Sequence, residues 1–193
     1  MGEIVSHIYM DLFLIKTKLK NEFPITQREN QPYPQKAAVL VILYPKNNEA
    51  HVLMTKRALH LRSHAGEISF PGGVYEEDED DGLLATALRE TNEEVGVKIE
   101  TSKVIAELPI VNTRFGFEIT PFVCVTSKTL EFDPEEDEVD EILEIPFTSL
   151  LASQQQDVGF SQEKDIVMYW FKHHRIWGAS AKILLKIQQL SVY

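Results

Sequence analysis

The sequence contains a single cysteine among its 193 residues, Cys124, which stands in the apolar stretch ITPFVCVT. One cysteine excludes a disulfide within the chain, a composition that suits a reducing compartment. Cys124 itself is expected to be a small buried apolar residue. The first residues lack the basic segment and apolar core of a secretion signal. We therefore expect a cytoplasmic protein.

Positive charge and long apolar runs are also scarce. The chain carries 30 acidic and 19 basic residues, which gives a formal net charge of −11. This charge repels nucleic-acid backbones, so we expect no nucleic-acid partner. No apolar run is long enough to cross a membrane, and we expect no membrane partner. An anionic substrate remains compatible with the charge, because a divalent metal ion inverts its sign locally.

The two ends of the chain differ in their patterns. Between Ile4 and Phe23, apolar residues recur at spacings of four and three, which predicts an amphipathic helix. The polar, proline-rich stretch that follows is typical of a linker. We therefore expect residues 1–35 to form a helix and a linker, and residues 36–193 to form one globular domain.

Strands and helices are both predicted within residues 36–193, which indicates α/β layers around one core. AAVLVILYP, residues 37–45, is a continuous apolar run typical of a buried strand, and residues 51–57 form its hairpin partner. FPGG, at 70–73, is predicted to break the chain. Further strands are predicted at 103–111, 118–127 and 165–177. Helices are predicted at about 82–95, at 145–151 and from Ala179 to Leu190, and the acidic residues 132–142 are predicted to form a loop leading into a short element.

The helix predicted at about 82–95 has one apolar face and one acidic face. Asp80 or Asp81 is expected to cap its N-terminus, and Gly96 is expected to end it. Its apolar face should be buried. That face consists of Leu84, Leu88, Thr91 and Val95.

The acidic face consists of Glu90, Glu93 and Glu94, at i, i+3 and i+4. Like charges at these spacings destabilise a helix by a few tenths of a kcal/mol, roughly, for each pair. Glu93 and Glu94 also lie near the C-terminus, where the helix dipole disfavours anions. A hard divalent cation removes the conflict, because carboxylate oxygens are its preferred ligands. From the spacing alone, an ordinary solvated acidic face is the favoured explanation.

The residues around this helix resemble the signature of the Nudix hydrolases. After Gly73 and an acidic loop comes the stretch RETNEEVGV, residues 89–97. Thr91 stands where the signature has an aliphatic residue, and the gap from Gly73 to Arg89 is two residues longer than usual. The signature also has a glutamate in the loop, a position that Glu79 or a neighbour would fill. The resemblance implies an α/β/α sandwich with a mixed β-sheet and hydrolysis of a nucleoside diphosphate derivative.

A second stretch, LMTKRALHLRSHAGEISFPGG at 53–73, is similar to the additional motif of the coenzyme A diphosphatase branch. Met54 and Ala58 replace a leucine and a serine of that motif. The branch cleaves coenzyme A or its thioesters into 3′,5′-ADP and a 4′-phosphopantetheine product, with Mg²⁺ or Mn²⁺ as cofactor. Cleavage of another nucleotide, and a sensor module that binds a nucleotide without cleaving it, remain alternatives. The matching residues are Thr55, Arg57, Arg62, Gly66, Phe70, Pro71, Gly72 and Gly73.

The resemblance also implies roles in catalysis. Glu90, Glu93 and Glu94 are expected to ligate the metal ions, and Arg89 to orient these acids through an ion pair. The general base could be a helix glutamate such as Glu90, or Glu138 in the acidic loop. The alternative for Glu138 is an ordinary solvated charge.

Substrate binding is expected to fall to the second motif. Arg57 and Arg62 could hold phosphates, since a guanidinium suits bidentate phosphate contact. Arg57 could instead close an ion pair at the end of a strand. Gly66, Gly72 and Gly73 are expected to bring backbone close to the bound nucleotide and metal. The expected partner is a small-molecule nucleotide substrate, and the N-terminal helix could also serve as the interface of a homodimer.

Overall fold

A computed structural model describes residues 2–25, 35–114, 116–158 and 166–191, and gives only the backbone of residues 2–11, 190 and 191. Its α-helices are α1 (Gly2–Glu22), α2 (Leu83–Val95), α3 (Phe147–Ala152) and α4 (Gly178–Ser191). Its strands are β1 (Lys36–Lys46), β2 (Glu49–Arg57), β3 (Ile68–Ser69), β4 (Gly72–Val74), β5 (Val104–Glu107), β6 (Val111–Asn112), β7 (Glu118–Val125), β8 (Val139–Pro146), β9 (Gln155–Gln156), β10 (Val167–Phe171) and β11 (His174–Ile176).

β1 is the central strand of a mixed sheet of eight strands. It pairs antiparallel with β2 and β4, and parallel with β7. β8 extends the sheet beyond β2, and β5 and β6 pair with β7. The mixed α/β sheet expected from the resemblance is confirmed.

Helices cover both faces of this sheet. Leu40 and Ile42 of β1 belong to a buried cluster that also contains Ala87 of α2. Val41 and Leu43 belong to a second cluster that also contains side chains of α1 and α4. Because successive side chains of a strand point to opposite faces, one continuous apolar run supplies both cores. The predicted α/β/α sandwich follows from this arrangement.

The helix α1 packs into the second of these clusters. Leu12 and Leu19, two positions of the predicted apolar stripe, are buried there. Ile4 and Ile8 lie outside the described side chains, and most of the predicted linker lies in the undescribed residues 26–34. Among the described helices, none combines the length and the apolar character that a membrane crossing requires.

Strands also form where none was predicted, among them β4 and β8. Residues 72–74 pair antiparallel with residues 37–39 of β1, so FPGG leads directly into a strand instead of breaking the chain. The acidic segment 132–142 contains the first residues of β8, which pairs with β2 from Val139 onward. In β8 the apolar residues Val139, Leu143 and Ile145 are buried, whereas Asp140 and Glu141 are exposed, so the strand packs one apolar side against the core despite its acids.

Candidate active site

The C-terminal half of α2 faces β4 and the end of β2, and Glu94 lies between them. The Glu94 side chain is 3% exposed. Its Oε2 accepts a hydrogen bond from the Gly72 N–H at 3.1 Å, and its Oε1 lies 3.5 Å from Nη1 of Arg57. Burial raises the pKa of Glu94 to about 8, although Gly72 and Arg57 oppose this shift. The two motifs found in the sequence therefore meet at one buried carboxylate.

Glu90 lies one turn before Glu94 and is largely buried, with its side chain 15% exposed. A Cβ atom placed on Gly73 would come within 2.2 Å of the Glu90 Cδ. The Glu90 carboxylate thus occupies space that any other residue at position 73 would fill. Burial, against the opposing charge and hydrogen bond of Arg89, raises the pKa of Glu90. The side chain that requires a glycine at position 73 is therefore an acid 17 residues later in the sequence, Glu90.

Arg89 joins the predicted metal ligands to the loop that precedes α2. Its Nη1 donates to Glu93 Oε2 at 2.9 Å and lies 3.0 Å from Glu90 Oε1. Its Nε and Nη2 donate to the two oxygens of Asp80, at 2.9 and 3.0 Å. Glu93, in contrast to Glu90 and Glu94, is 53% exposed. Arg89 is therefore placed where the expected orienting ion pair requires it.

Asp80 is the loop acid that binds Arg89, a position that the sequence left open between Glu79 and its neighbours. It was predicted as a candidate N-cap of α2, but Gly82 occupies that position. Asp80 is buried instead, and it accepts hydrogen bonds from the Glu76 N–H at 3.0 Å and from Thr86 Oγ1 at 2.9 Å. Glu79, the other candidate for the loop acid, is 4.0 Å from Arg89 and mostly exposed. The sequence could not assign the loop acid, because the loop between Gly73 and Arg89 is longer than in the signature and contains several acids.

Replacing Asp80 by asparagine is expected to destabilise the protein by about 2 kcal/mol at neutral pH, the cost of weakening charge-assisted bonds. Burial alone would raise the pKa of Asp80. Hydrogen bonds from Arg89, Glu76 and Thr86 outweigh burial and hold this pKa below its usual value. The stabilisation is therefore present above the unfolded-state pKa and is lost as the pH falls through the lowered folded-state pKa. Urea unfolding should show a difference from wild type that shrinks in acid.

The exposed neighbour Asp81 gives the control for this prediction. Asp81→Asn makes the same chemical change beside the same helix and is expected to leave stability within about 0.5 kcal/mol of wild type. Equal destabilisation by both variants, or a difference for Asp80→Asn that persists in acid, would contradict the proposed anchoring of Arg89.

The acidic segment before β8 closes over the C-terminal end of α2. The Glu135 N–H donates to the Glu94 carbonyl at 3.0 Å, and the Ala58 N–H donates to the Glu138 carbonyl at 2.8 Å. The charge of Glu138 contributes to the raised pKa of both Glu90 and Glu94. Glu138 is itself exposed. The predicted base candidate therefore lies at the edge of the glutamate cluster and faces solvent.

The other predicted substrate residues lie around the loop between β2 and β3. The Gly66 N–H donates to the Arg57 carbonyl at 3.1 Å, and Gly66 has φ of +71°, which favours glycine. Gly66 thus closes the loop next to Arg57. The Nε of Arg57 is buried without a hydrogen-bond partner among the described residues. Arg62 is exposed in the same loop, and no described contact joins it to the glutamates.

The donor set fits a hard divalent cation. Among the described residues no three acidic, histidine or cysteine side chains converge on one point, and Arg89 and Arg57 contact the glutamates instead. Even so, two carboxylates with raised pKa values, Glu90 and Glu94, lie one helical turn apart in a buried setting. A cation of charge two relieves this repulsion, and oxygen ligands suit Mg²⁺ or Mn²⁺.

Comparison with known proteins agrees with this geometry. The family model of the NUDIX domain matches residues 34–182. The chain belongs to the Nudix hydrolase family. It is 31% identical over 191 residues to the "Uncharacterized Nudix hydrolase NudL" of Salmonella typhimurium strain LT2, with 94% of each chain covered. The protein of the same name from Salmonella typhi matches to the same extent.

Solved structures show the same Nudix fold. A MutT/nudix family protein from Enterococcus faecalis has a TM-score of 0.61 at 14% identity, covering 86% of this chain and 65% of that one. The NUDIX domain of Shewanella oneidensis NrtR, complexed with ADP ribose, has a TM-score of 0.51 at 19% identity, covering 63% and 80%. At these identities the likeness concerns the fold alone.

Family membership defines the general activity. Nudix hydrolases act on nucleoside diphosphate derivatives, and they generally use divalent metal ions. This Nudix hydrolase is therefore an enzyme whose substrates are small nucleotides.

Proposed function

We propose that this Nudix hydrolase cleaves the diphosphate bond of coenzyme A or its thioesters, giving 3′,5′-ADP and 4′-phosphopantetheine or its acyl derivative. One observation carries the proposal: Arg57 and Gly72, both from the motif similar to the coenzyme A diphosphatase branch, bind Glu94 of the Nudix helix. The segment that indicates the substrate is thereby part of the same site as the glutamates.

The proposed chemistry is attack of water on one phosphorus of the diphosphate. Mg²⁺ or Mn²⁺ held by Glu90, Glu93 and Glu94 would neutralise the diphosphate and lower the pKa of the attacking water. Arg89, anchored by Asp80, holds Glu90 and Glu93 in position.

Proton transfer and phosphate binding fall to residues around the glutamate cluster. Glu138 accepts the proton of the attacking water, since it is exposed at the edge of the glutamate cluster and its charge acts on Glu90 and Glu94. The bond from phosphorus to the bridging oxygen then breaks, and the second phosphate leaves with the electron pair. Arg57, whose side chain is 27% exposed, binds the phosphate oxygens through its guanidinium, and Arg62 approaches from the exposed loop. A guanidinium suits this task because its N–H groups match phosphate geometry.

The substrate is tested by incubating the enzyme and Mg²⁺ with coenzyme A, acetyl-coenzyme A, ADP-ribose, NADH and nucleoside triphosphates, one at a time. Mass spectrometry should find 3′,5′-ADP from the first two, because hydrolysis of their diphosphate leaves the 3′-phosphate on the adenosine product. Glu93→Gln protein prepared in parallel reports contaminating hydrolases. Cleavage of a different member of the panel at the highest kcat/KM would reassign the substrate, and binding without products would indicate a sensor.

We also propose that the enzyme works in the cytoplasm on free nucleotides, with no nucleic-acid or membrane partner. Its net charge of −11 and its single, buried cysteine support this proposal.

A further inference from the structure

Residues 133–138, here called the strap, join the C-terminal end of α2 to the end of β2. The Asp133 N–H donates to the Val95 carbonyl at 3.0 Å, and the Glu135 N–H donates to the Glu94 carbonyl at 3.0 Å. The last carbonyl groups of a helix have no partner within the helix, so the strap supplies partners that α2 itself cannot. One end of the strap is thereby fixed to the helix that carries the glutamates.

The strap also packs closely against the residue that ends α2. Gly96 has φ of +72°, the left-handed conformation that favours glycine. A Cβ atom placed on Gly96 would lie 2.7 Å from the Cβ of Asp133 and 2.9 Å from its backbone nitrogen. The strap can therefore approach the helix end this closely only because position 96 carries no side chain.

The other end of the strap is a tight turn that is bonded to the end of β2. The Glu135 carbonyl accepts hydrogen bonds from the N–H groups of Glu138 and Val139, both at 2.9 Å. The Glu138 carbonyl in turn accepts the N–H of Ala58 at 2.8 Å, one residue beyond Arg57. Backbone hydrogen bonds therefore hold Glu138 between the last turn of α2 and the end of β2.

The strap places the side chain of Glu138, the proposed base. This side chain is exposed, and among the described residues its carboxylate has no hydrogen-bond or ion-pair partner. Its charge nevertheless contributes to the raised pKa of both Glu90 and Glu94, so Glu138 lies near both acids. A general base has to lie within hydrogen-bond reach of the proton that it accepts. Since no side-chain contact orients Glu138, its backbone has to do so.

We infer that the strap positions the general base, and that the Glu135 N–H is its attachment to the helix of the proposed metal ligands. Because this N–H is bonded to the carbonyl of Glu94 itself, a movement of that ligand carries the base with it. The inference rests on the proposed function, in which Glu138 accepts the proton of the attacking water. It deepens that function by naming what fixes the geometry of the transfer. Glu135 is a positioning residue and does not touch the substrate.

Proline substitution removes this attachment and leaves Glu138 in the chain. Glu135→Pro deletes the N–H that bonds to Glu94, and kcat is expected to fall between about tenfold and 100-fold, the effect of a misplacement of about 1 Å. KM, and the Mn²⁺ affinity measured by electron paramagnetic resonance, should stay within about twofold of wild type, because the side chains that hold phosphate and metal are unchanged.

Glu136→Pro is the matched control. It removes the same charge one residue later, in the same exposed turn. The Glu136 N–H donates no hydrogen bond among the described residues, and proline is favoured at the second position of a turn. Its kcat should stay within about twofold of wild type.

A double-mutant cycle decides whether the effect passes through Glu138. Glu138→Gln alone should lower kcat about 100-fold or more, as expected for the loss of a general base. In that background Glu135→Pro should lower kcat by less than about twofold further, because no base remains to be misplaced. A purely structural role would instead lower kcat to the same extent in both backgrounds.

Thermal unfolding identifies a variant that fails to fold. If Glu135→Pro does, Gly96→Ala takes its place, because the added Cβ presses on Asp133 at the neighbouring attachment. The same cycle with Glu138→Gln then applies, with a loss of kcat of about tenfold expected only where Glu138 is present.

The outcomes separate the strap from the proposed function, because the cycle is measured on whichever nucleotide the wild type cleaves. Unchanged kcat in Glu135→Pro, or equal losses with and without Glu138, would overturn the inference and leave hydrolysis of coenzyme A in place. The expected cycle on a different nucleotide would overturn the substrate and support the strap. Full activity of Glu138→Gln would overturn the base and the strap together, as would absence of turnover on every nucleotide.

Discussion

Replacing Glu93 by glutamine is expected to lower kcat about 1000-fold, since roughly 4 kcal/mol of transition-state stabilisation is lost with a metal ligand. Glutamine keeps the size of the side chain and removes its charge. Because the Glu93 side chain is 53% exposed, the fold should tolerate the change. Losing its surface pair with Arg89 should cost about 1 kcal/mol or less. Activity and stability are therefore expected to separate in this variant.

Mn²⁺ titration followed by electron paramagnetic resonance tests the reason for that loss. Glu93→Gln should bind Mn²⁺ about tenfold more weakly than wild type, because one carboxylate ligand has been neutralised. Glu77→Gln, in the exposed part of the acidic loop, removes the same charge and should change neither kcat nor Mn²⁺ affinity. A fully active Glu93→Gln enzyme would contradict ligation by Glu93. Equal losses in Glu93→Gln and Glu77→Gln would attribute the effect to the general acidity of the surface.

Replacing Gly72 by alanine is expected to destabilise the protein by about 3 kcal/mol or more, from strained backbone and steric overlap together. Its φ is +149°, and an added Cβ would lie 2.2 Å from the Ala38 carbonyl oxygen and 2.6 Å from the Val39 Cα. These are backbone atoms of the central strand, which cannot move aside. A melting temperature lower by about 10 °C should follow for a chain of this size.

Gly73→Ala is the control for this effect. Its added Cβ would meet the carboxylate of Glu90, the far end of a flexible side chain, and not backbone. We expect Gly73→Ala to melt close to wild type but to lose activity, because Glu90 is displaced. A wild-type melting temperature for Gly72→Ala would contradict the close approach of β4 to β1.

Local patterns in the sequence predicted the elements that are defined by their own hydrophobic period. The apolar run of β1, its hairpin partner β2 and the helix α2 all appear where their patterns place them. The packing of α2 was predicted less well. Leu84 and Leu88 are only half-buried, whereas Glu94, assigned to the acidic face, is almost fully buried. The helical period placed the three glutamates together, but it could not show that β4 and the segment around Glu135 cover one of them.

The features that escaped prediction depend on partners distant in sequence. β4 is three residues long and is a strand only because residues 37–39 pair with it. The role of Asp80 depends on Arg89 reaching back across the first turns of α2. Family resemblance gave the identity of the glutamates and the arginine, and the structure adds the buried aspartate that anchors them.

The central strand β1 has a consequence for the dynamics of the molecule. Its even-numbered side chains lie in one core and its odd-numbered side chains in the other, so neither helical layer can detach without exposing the same strand. Local opening that leaves half of the protein native is thereby disfavoured. Glu94 of α2 and Arg57 of β2 therefore keep their relative positions as long as both layers stay packed on β1, which keeps the site organised between turnovers.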